Sequence, residues 1–389
     1  MSEAGTLQRV ASGSHVLDLA LGGGWAVGRV VNIVGDKSTG KTLLAIEGII
    51  NFRNKYGDGA AVRYGEAEAA FDDGYAEELG MPGDIEMPEE PLMTVEDWQF
   101  DLDRFLTEND GPKLYILDSL DALSDAAELE HAKVVQKAYE EGKEAKGSYG
   151  MSKPKLLSQL FRQLVRKIEQ SECLLIIISQ VRDNIGVSFG EKHTRSGGKA
   201  LDFYASQIVW LANLGKTERT IKGQKRAYSV SIKANVKKNK TGKPFRTAEF
   251  DILFGYGIDD ENSILDWLVS LKSVNGLKPA EAQKVRDEID RLRAVQDYGG
   301  LQKIARTYAA KVTTEWMAIE DELAMPIRKY DVHTFKAPPV PRAAIAPRVA
   351  VTPRATFSVA DMARVEGVGP ETQAELEEEE ATELEEEDK

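Results

Sequence analysis

Gly35-Asp36-Lys37-Ser38-Thr39-Gly40-Lys41-Thr42 decides how this chain reads. An apolar run, Val30 to Val34, precedes the eight residues, and a helical pattern from Leu43 to Ile50 follows them. The pattern G-x-x-x-x-G-K-T between a strand and a helix is a phosphate cradle. Its glycines let the loop wind until backbone N–H groups face a β-phosphate, and the helix start adds partial positive charge. Lys41 would bridge β- and γ-phosphates, the Thr42 hydroxyl would bind Mg²⁺, and the backbone from Gly35 to Leu43 would line the site. A plain strand-to-helix turn can use the same glycines; motif and context together select the phosphate reading.

On either side of the loop, short β-rich runs at Ala61–Tyr64, Leu114–Leu117, Leu174–Ile178 and Ile208–Leu211 join Val30–Val34 and alternate with longer helical patterns. That alternation predicts an α/β fold, a mostly parallel twisted sheet with helices on both faces. The strongest helix runs from 155 to 170, with Leu156, Leu157, Leu160, Phe161, Leu164, Val165 and Ile168 on one stripe. Tyr228–Ala234 and Thr247–Phe254 alternate in period two, as antiparallel strands near a sheet edge do. Asp118 closes the run Leu114–Leu117, at the carboxyl end of a strand where ligands bind in open α/β sheets. Taken alone, Asp118 reads equally as a helix N-cap or as a second metal carboxylate; the phosphate loop favours the metal.

Composition bounds the remainder. The chain has 389 residues, 42% hydrophobic, with one cysteine, Cys173, which excludes a disulfide framework within one chain. No run approaches the roughly 18 apolar residues of a membrane span, and the opening residues lack the features of a secretion signal, which predicts a soluble, cytoplasmic protein with no membrane partner. The net charge of −14 is concentrated at the end, because Glu371–Lys389 holds eleven acids and one lysine, leaving only −4 for residues 1–370. Basic clusters at 192–199 and 233–243 can therefore serve as local anion sites. Five prolines between 337 and 354 predict an extended linker, and the acid run a disordered tail. The expected organisation is a short arm at 1–11, an ATPase core at 12–260, a small helical domain at 261–336, a proline-rich linker at 337–356, and a short helix with the acidic tail at 357–389.

These motifs, in this order, resemble the bacterial RecA recombinase family, from about Ser12 to Ile258. Beside the phosphate loop stand Glu66-Ala67-Glu68 with Phe71-Asp72-Asp73-Gly74-Tyr75, then Ser179-Gln180-Val181-Arg182 leading to Gly190, Gly197-Gly198-Lys199 leading to Ser206, and Val236-Lys237-Lys238-Asn239-Lys240. The resemblance implies a P-loop NTPase core of RecA type. It further implies that Glu68 activates the attacking water, that Tyr75 stacks on adenine, and that Gln180 senses the γ-phosphate. By the same resemblance Lys238 and Lys240 reach a nucleotide held by a neighbouring copy. The segment after Gln180 would then be a mobile DNA loop, with Arg182, Ile185, Gly186, Phe189, Lys192, Arg195, Gly197, Gly198 and Lys199 as DNA-binding residues. A basic, glycine-containing loop with one aromatic residue can order on a backbone and wedge between bases.

The implied function is a DNA-dependent ATPase, with ATP and Mg²⁺, that forms a homo-oligomeric helical filament on single-stranded DNA and pairs it with homologous duplex DNA. Only about a dozen residues precede the core, so the arm through which the family polymerises has little sequence to draw on. Lys143–Lys155 occupies the place of the family's first DNA loop, and reads equally as a solvated linker. Val365–Leu376 reads as a helix-hairpin-helix turn or as a glycine-rich helix break. The acidic tail, a solubilising appendage in one reading, in another competes with DNA for the basic loops, or recruits a loader or a single-strand-binding protein. Two other functions stay open at this level: a RecA-fold ring motor or regulatory ATPase, and a non-enzymatic ATP-binding scaffold.

Overall fold

In the computed structural model, residues 7–140, 152–183, 193–195 and 198–325 are described. In chain order the elements are β1 (Arg9–Val10), α1 (His15–Leu21), β2 (Trp25–Ala26), β3 (Val30–Gly35), α2 (Lys41–Tyr56), β4 (Ala61–Glu66), α3 (Asp73–Glu78), α4 (Val95–Glu108), β5 (Lys113–Asp118), α5 (Ala126–Glu140) and α6 (Ser152–Gln170). There follow β6 (Cys173–Asp183), β7 (His193–Arg195), α7 (Gly198–Tyr204), β8 (Gln207–Ile221), β9 (Gln224–Asn239), β10 (Thr247–Leu253), β11 (Gly257–Asp259), α8 (Asp260–Ser270), α9 (Pro279–Ala294) and α10 (Tyr298–Glu322).

The main sheet runs β11-β10-β9-β8-β3-β6-β5-β4, with β7 beside β6. Its central strands β8, β3, β6, β5 and β4 pair in parallel, while β9, β10 and β11 join antiparallel. This is the α/β core with a mostly parallel sheet that the apolar runs predict. Both faces of the parallel part are covered, so its strands are mostly apolar where they cross the middle of the sheet, and alternate residues enter different cores. Val31, Ile33, Leu114, Ile116, Leu174, Ile176 and Ile178 pack under α2 with Leu44, Ile46 and Phe52. Val30, Val34, Tyr115, Leu117, Leu175 and Ile177 pack under α4 and α6 with Trp98, Leu102, Phe105, Phe161 and Leu164. The expected stripe of α6 is the buried one.

Local signals explain where the covering helices start. Thr94 and Asp97 form a reciprocal capping box at the start of α4, each side chain accepting the other's backbone N–H at 3.0 and 2.9 Å. Helix α1 begins after Ser14, whose side chain accepts from Leu17 N, and stops at Gly22, whose φ of 79° few other residues adopt cheaply. Helices α8, α9 and α10 build two small cores, Leu265–Ile289–Leu292–Leu301 and Ile264–Leu268–Val312, the second resting on Leu19 of α1. His15 ties α1 to α10 through Nε2, 2.8 Å from Thr313 Oγ1 and 3.1 Å from Ala309 O. Among the described residues no helix is long and apolar enough to cross a membrane. The proline-rich stretch, the hairpin-like segment and the acid run lie outside the described residues, as does most of Lys143–Lys155.

Candidate nucleotide site

Four parallel strands end side by side, and each delivers one part of the site. Register pairs Gly35 of β3 with Gln180 of β6, and Glu66 of β4 with Asp118 of β5, so the phosphate loop, both acids and the amide share one sheet edge. Hydrogen bonds within the loop fix its shape. Thr39 Oγ1 donates to Asp36 O at 2.9 Å, Lys37 N to Asp36 Oδ1 at 2.7 Å, and Lys41 Nζ to Asp36 O at 2.8 Å. Gly40 sits at φ 79°, a left-handed conformation that favours glycine, and an added Cβ would also have to displace the Ile252 side-chain tip, 2.3 Å away. Helix α2 starts immediately after it with no side-chain cap, leaving its first N–H groups directed at the loop.

Asp118 is buried at 8% exposure, and burial raises its carboxyl above the usual carboxylate range, opposed by hydrogen bonds from Tyr64 and Thr42. Both donors reach the same oxygen: Tyr64 OH and Thr42 Oγ1 each lie 2.7 Å from Asp118 Oδ2. Burial lowers the Lys41 ammonium, and the charges of Asp118 and Glu68 oppose that shift. Glu68 Oε1 accepts from Gln180 Nε2 at 2.8 Å and from the Ser119 hydroxyl. Gln180 is anchored on its other side, where its backbone N–H donates to Asp121 Oδ2 at 2.7 Å. Glu66 accepts from Ala70 N at 2.9 Å and shapes the turn that carries Glu68.

Thus Gly35, Asp36, Lys37, Ser38, Thr39, Gly40, Lys41, Thr42, Leu43, Glu68, Asp118 and Gln180 come together at one edge. Tyr75 lies on α3, is 44% exposed, and donates its backbone N–H to the capping Asp72 side chain. Lys238 and Lys240 stand at the carboxyl end of α7, donating to Phe203 O at 3.0 and 3.1 Å. Of the loop residues, Arg182 and Arg195 fall on β6 and β7, which pair with each other, and Gly198 and Lys199 open α7. Ile185, Gly186, Phe189, Lys192 and Gly197 lie outside the described residues. Sequence reasoning missed Tyr64 and Ser119. Ser119 adjoins Asp118 and could have been found there, whereas a tyrosine within an apolar strand reads as core.

A phosphate cradle at the start of α2, an acid at the end of β5 and a carboxylate–amide pair joining the turn after β4 to β6 define a P-loop ATPase of the α/β class. The model of the RecA N-terminal domain matches residues 2–259. RecA of Gloeobacter violaceus is 36% identical over 271 residues, 69% of this chain and 67% of that protein. RecA of Delftia acidovorans is 37% identical over 267 residues, and RecA of Rickettsia canadensis 35% over 272, covering 67% and 72% of their lengths. The chain belongs to the RecA recombinase family.

Proposed function

We propose that this protein is an ATP-dependent recombinase that coats single-stranded DNA as a filament of identical copies and pairs it with homologous duplex DNA, hydrolysing ATP as DNA stimulates it. The observation that carries this reading is the pair Glu68–Gln180, 2.8 Å apart. It joins a carboxylate able to orient water to the residue from which the chain departs toward the basic loop. In the proposed cycle, Lys41 and the N–H groups of the loop bind the β- and γ-phosphates, and Glu68 orients the attacking water. Gln180 exchanges its bond to Glu68 for one to the γ-phosphate, and so links the state of the nucleotide to the segment after Val181. Arg182, Arg195 and Lys199 would take DNA phosphates, Tyr75 would stack on adenine, and Lys238 and Lys240 would reach the nucleotide of a neighbouring copy.

The donor set fits Mg²⁺. Thr42 and Asp118 offer hard oxygen ligands 2.7 Å apart. That suits an ion completing its shell with water and phosphate oxygens. Bound there, Mg²⁺ would neutralise charge on the phosphoryl oxygens.

The proposed division places the ATPase core at 12–260, the helical domain at 261–336 and the tail beyond a linker, in a cytoplasmic protein. The tail, net −10 over residues 371–389, would compete with DNA for the basic loops or recruit a loader. Replacing Glu68→Gln tests the site: ATP binding and DNA coating persist while turnover falls by about 10² or more. Turnover at the wild-type rate would remove Glu68 from its assigned role.

A further inference from the structure

Among the described residues, two buried tyrosine–aspartate pairs lie on neighbouring strands, and one of them touches the nucleotide site. Tyr64 of β4 donates to Asp118 Oδ2 at 2.7 Å; Tyr115 of β5 donates to Asp101 Oδ2 at 2.8 Å. Both rings are 0% exposed. Strand alternation separates the two pairs. Tyr64 and Glu66 share a face of β4, so the Tyr64 phenol reaches along the sheet toward the carboxyl end of β5, where Asp118 stands opposite Glu66. Gly65 points the other way, and a Cβ there would meet the Tyr115 hydroxyl at 2.9 Å. The Tyr115 pair belongs to an ion-paired cluster under α4, in which Arg63 bonds Asp101 at 2.9 Å.

We infer that Tyr64 is a positioning residue for the metal: its hydroxyl holds the Asp118 carboxylate in the orientation that a Mg²⁺–nucleotide needs. This rests on the reading of Thr42 and Asp118 as the metal's protein ligands. Asp118 Oδ2 accepts two hydroxyls, from Thr42 and from Tyr64. Of the two, the Thr42 oxygen is the one a metal would recruit, which leaves the Tyr64 bond to hold the acid. Tyr64 is well built for that duty. Its ring is fixed between the strand and Phe71, with centroids 4.4 Å apart, so the hydroxyl is delivered by a rigid frame and not by a flexible side chain. Groups that orient a metal ligand without touching the metal commonly govern its affinity, and losing one costs about 10- to 100-fold.

The test is the binding of a fluorescent ADP analogue by the full chain, titrated with Mg²⁺ and repeated in EDTA, for the wild type, Tyr64→Phe, Tyr64→Met and Tyr115→Phe. Expected is a rise of about tenfold or more in half-saturating Mg²⁺ for both Tyr64 variants, with binding in EDTA within about twofold of wild type. Tyr115→Phe should keep the wild-type Mg²⁺ requirement whatever it does to the melting temperature. A Tyr64 variant with unchanged half-saturating Mg²⁺ overturns the inference and leaves the nucleotide site standing, as does an equal shift in Tyr115→Phe, which would make the effect merely structural. A wild-type protein indifferent to Mg²⁺ overturns the inference together with the ligand assignment beneath it.

Discussion

Glu320 of α10 clamps the turn that follows β9, and its replacement gives a stability effect whose size the structure sets. Its Oε1 accepts from Arg246 Nε, and its Oε2 from Arg246 Nη2 at 2.8 Å and Lys243 Nζ at 2.6 Å. The bond from Arg246, against the cost of burial and with help from Lys243, holds the Glu320 carboxyl down to about 2. The gap from its usual 4.5 corresponds to about 3 kcal/mol. Glu320 is 11% exposed but Lys243 is 58% exposed, so solvent screens part of this and about 2 kcal/mol remains. A carboxyl lowered in the folded state stabilises above its unfolded value, and the contribution is lost as pH falls from about 4.5 through about 2. Glu320→Gln should therefore lower the urea unfolding free energy by about 2 kcal/mol at pH 7, with the gap falling below half near pH 3. A double-mutant cycle with Arg246→Met at pH 7 should return a coupling of similar size. A gap that is equal at both pH values, together with a coupling near zero, would refute the clamp.

Buried acids at the junction of α1 and α8 should show the opposite pH dependence. Burial pushes Asp18 up to about 7 and Asp260 up to about 8, while each accepts a backbone N–H at 2.7 Å, from Ser12 and His15. The raised folded values favour the protonated form, so their contribution is full below about 4 and fades as pH rises through about 7 to 8. Asp18→Asn should gain on the order of 1 kcal/mol over wild type at pH 8 and nothing at pH 4; a parallel offset at both would mean that ionisation is not the cause. Deleting residues 371–389 should tighten duplex binding most at low Mg²⁺ and low salt, because the tail's charge is screened like any other. Identical duplex affinity with and without the tail, at every Mg²⁺ concentration, would end the competition model.

The parallel core was legible because burial on both faces leaves largely apolar runs: Val30–Val34, interrupted only by the hydrogen-bonded Asn32, Leu114–Leu117 and Leu174–Ile178 each lie inside an observed strand. The outer half of the β8–β9 hairpin left no such trace. Residues from Ala212 to Arg226 are nearly all exposed, so no face is apolar, and backbone pairing around the turn at Lys222-Gly223, both at positive φ, defines the ribbon. Helix α5 was hidden for a similar reason: it buries no residue, and Val134 and Val135 face outward. Strands β1 and β2, two residues each, are too short for any periodicity. Within the site, the loop and Asp118 were readable from local pattern, and Glu68 and Gln180 through the family resemblance. Tyr64 needed the register between β4 and β5, a long-range fact that strand composition does not contain.

If, as proposed, nucleotide in the phosphate loop gates the grip on DNA, fluorescence anisotropy of a labelled oligothymidylate will report it. With a slowly hydrolysed ATP analogue and Mg²⁺, the wild type should bind in one concentrated, cooperative step; without nucleotide, or with Lys41→Ala, it should not. Equal binding by wild type with and without nucleotide would contradict the claim.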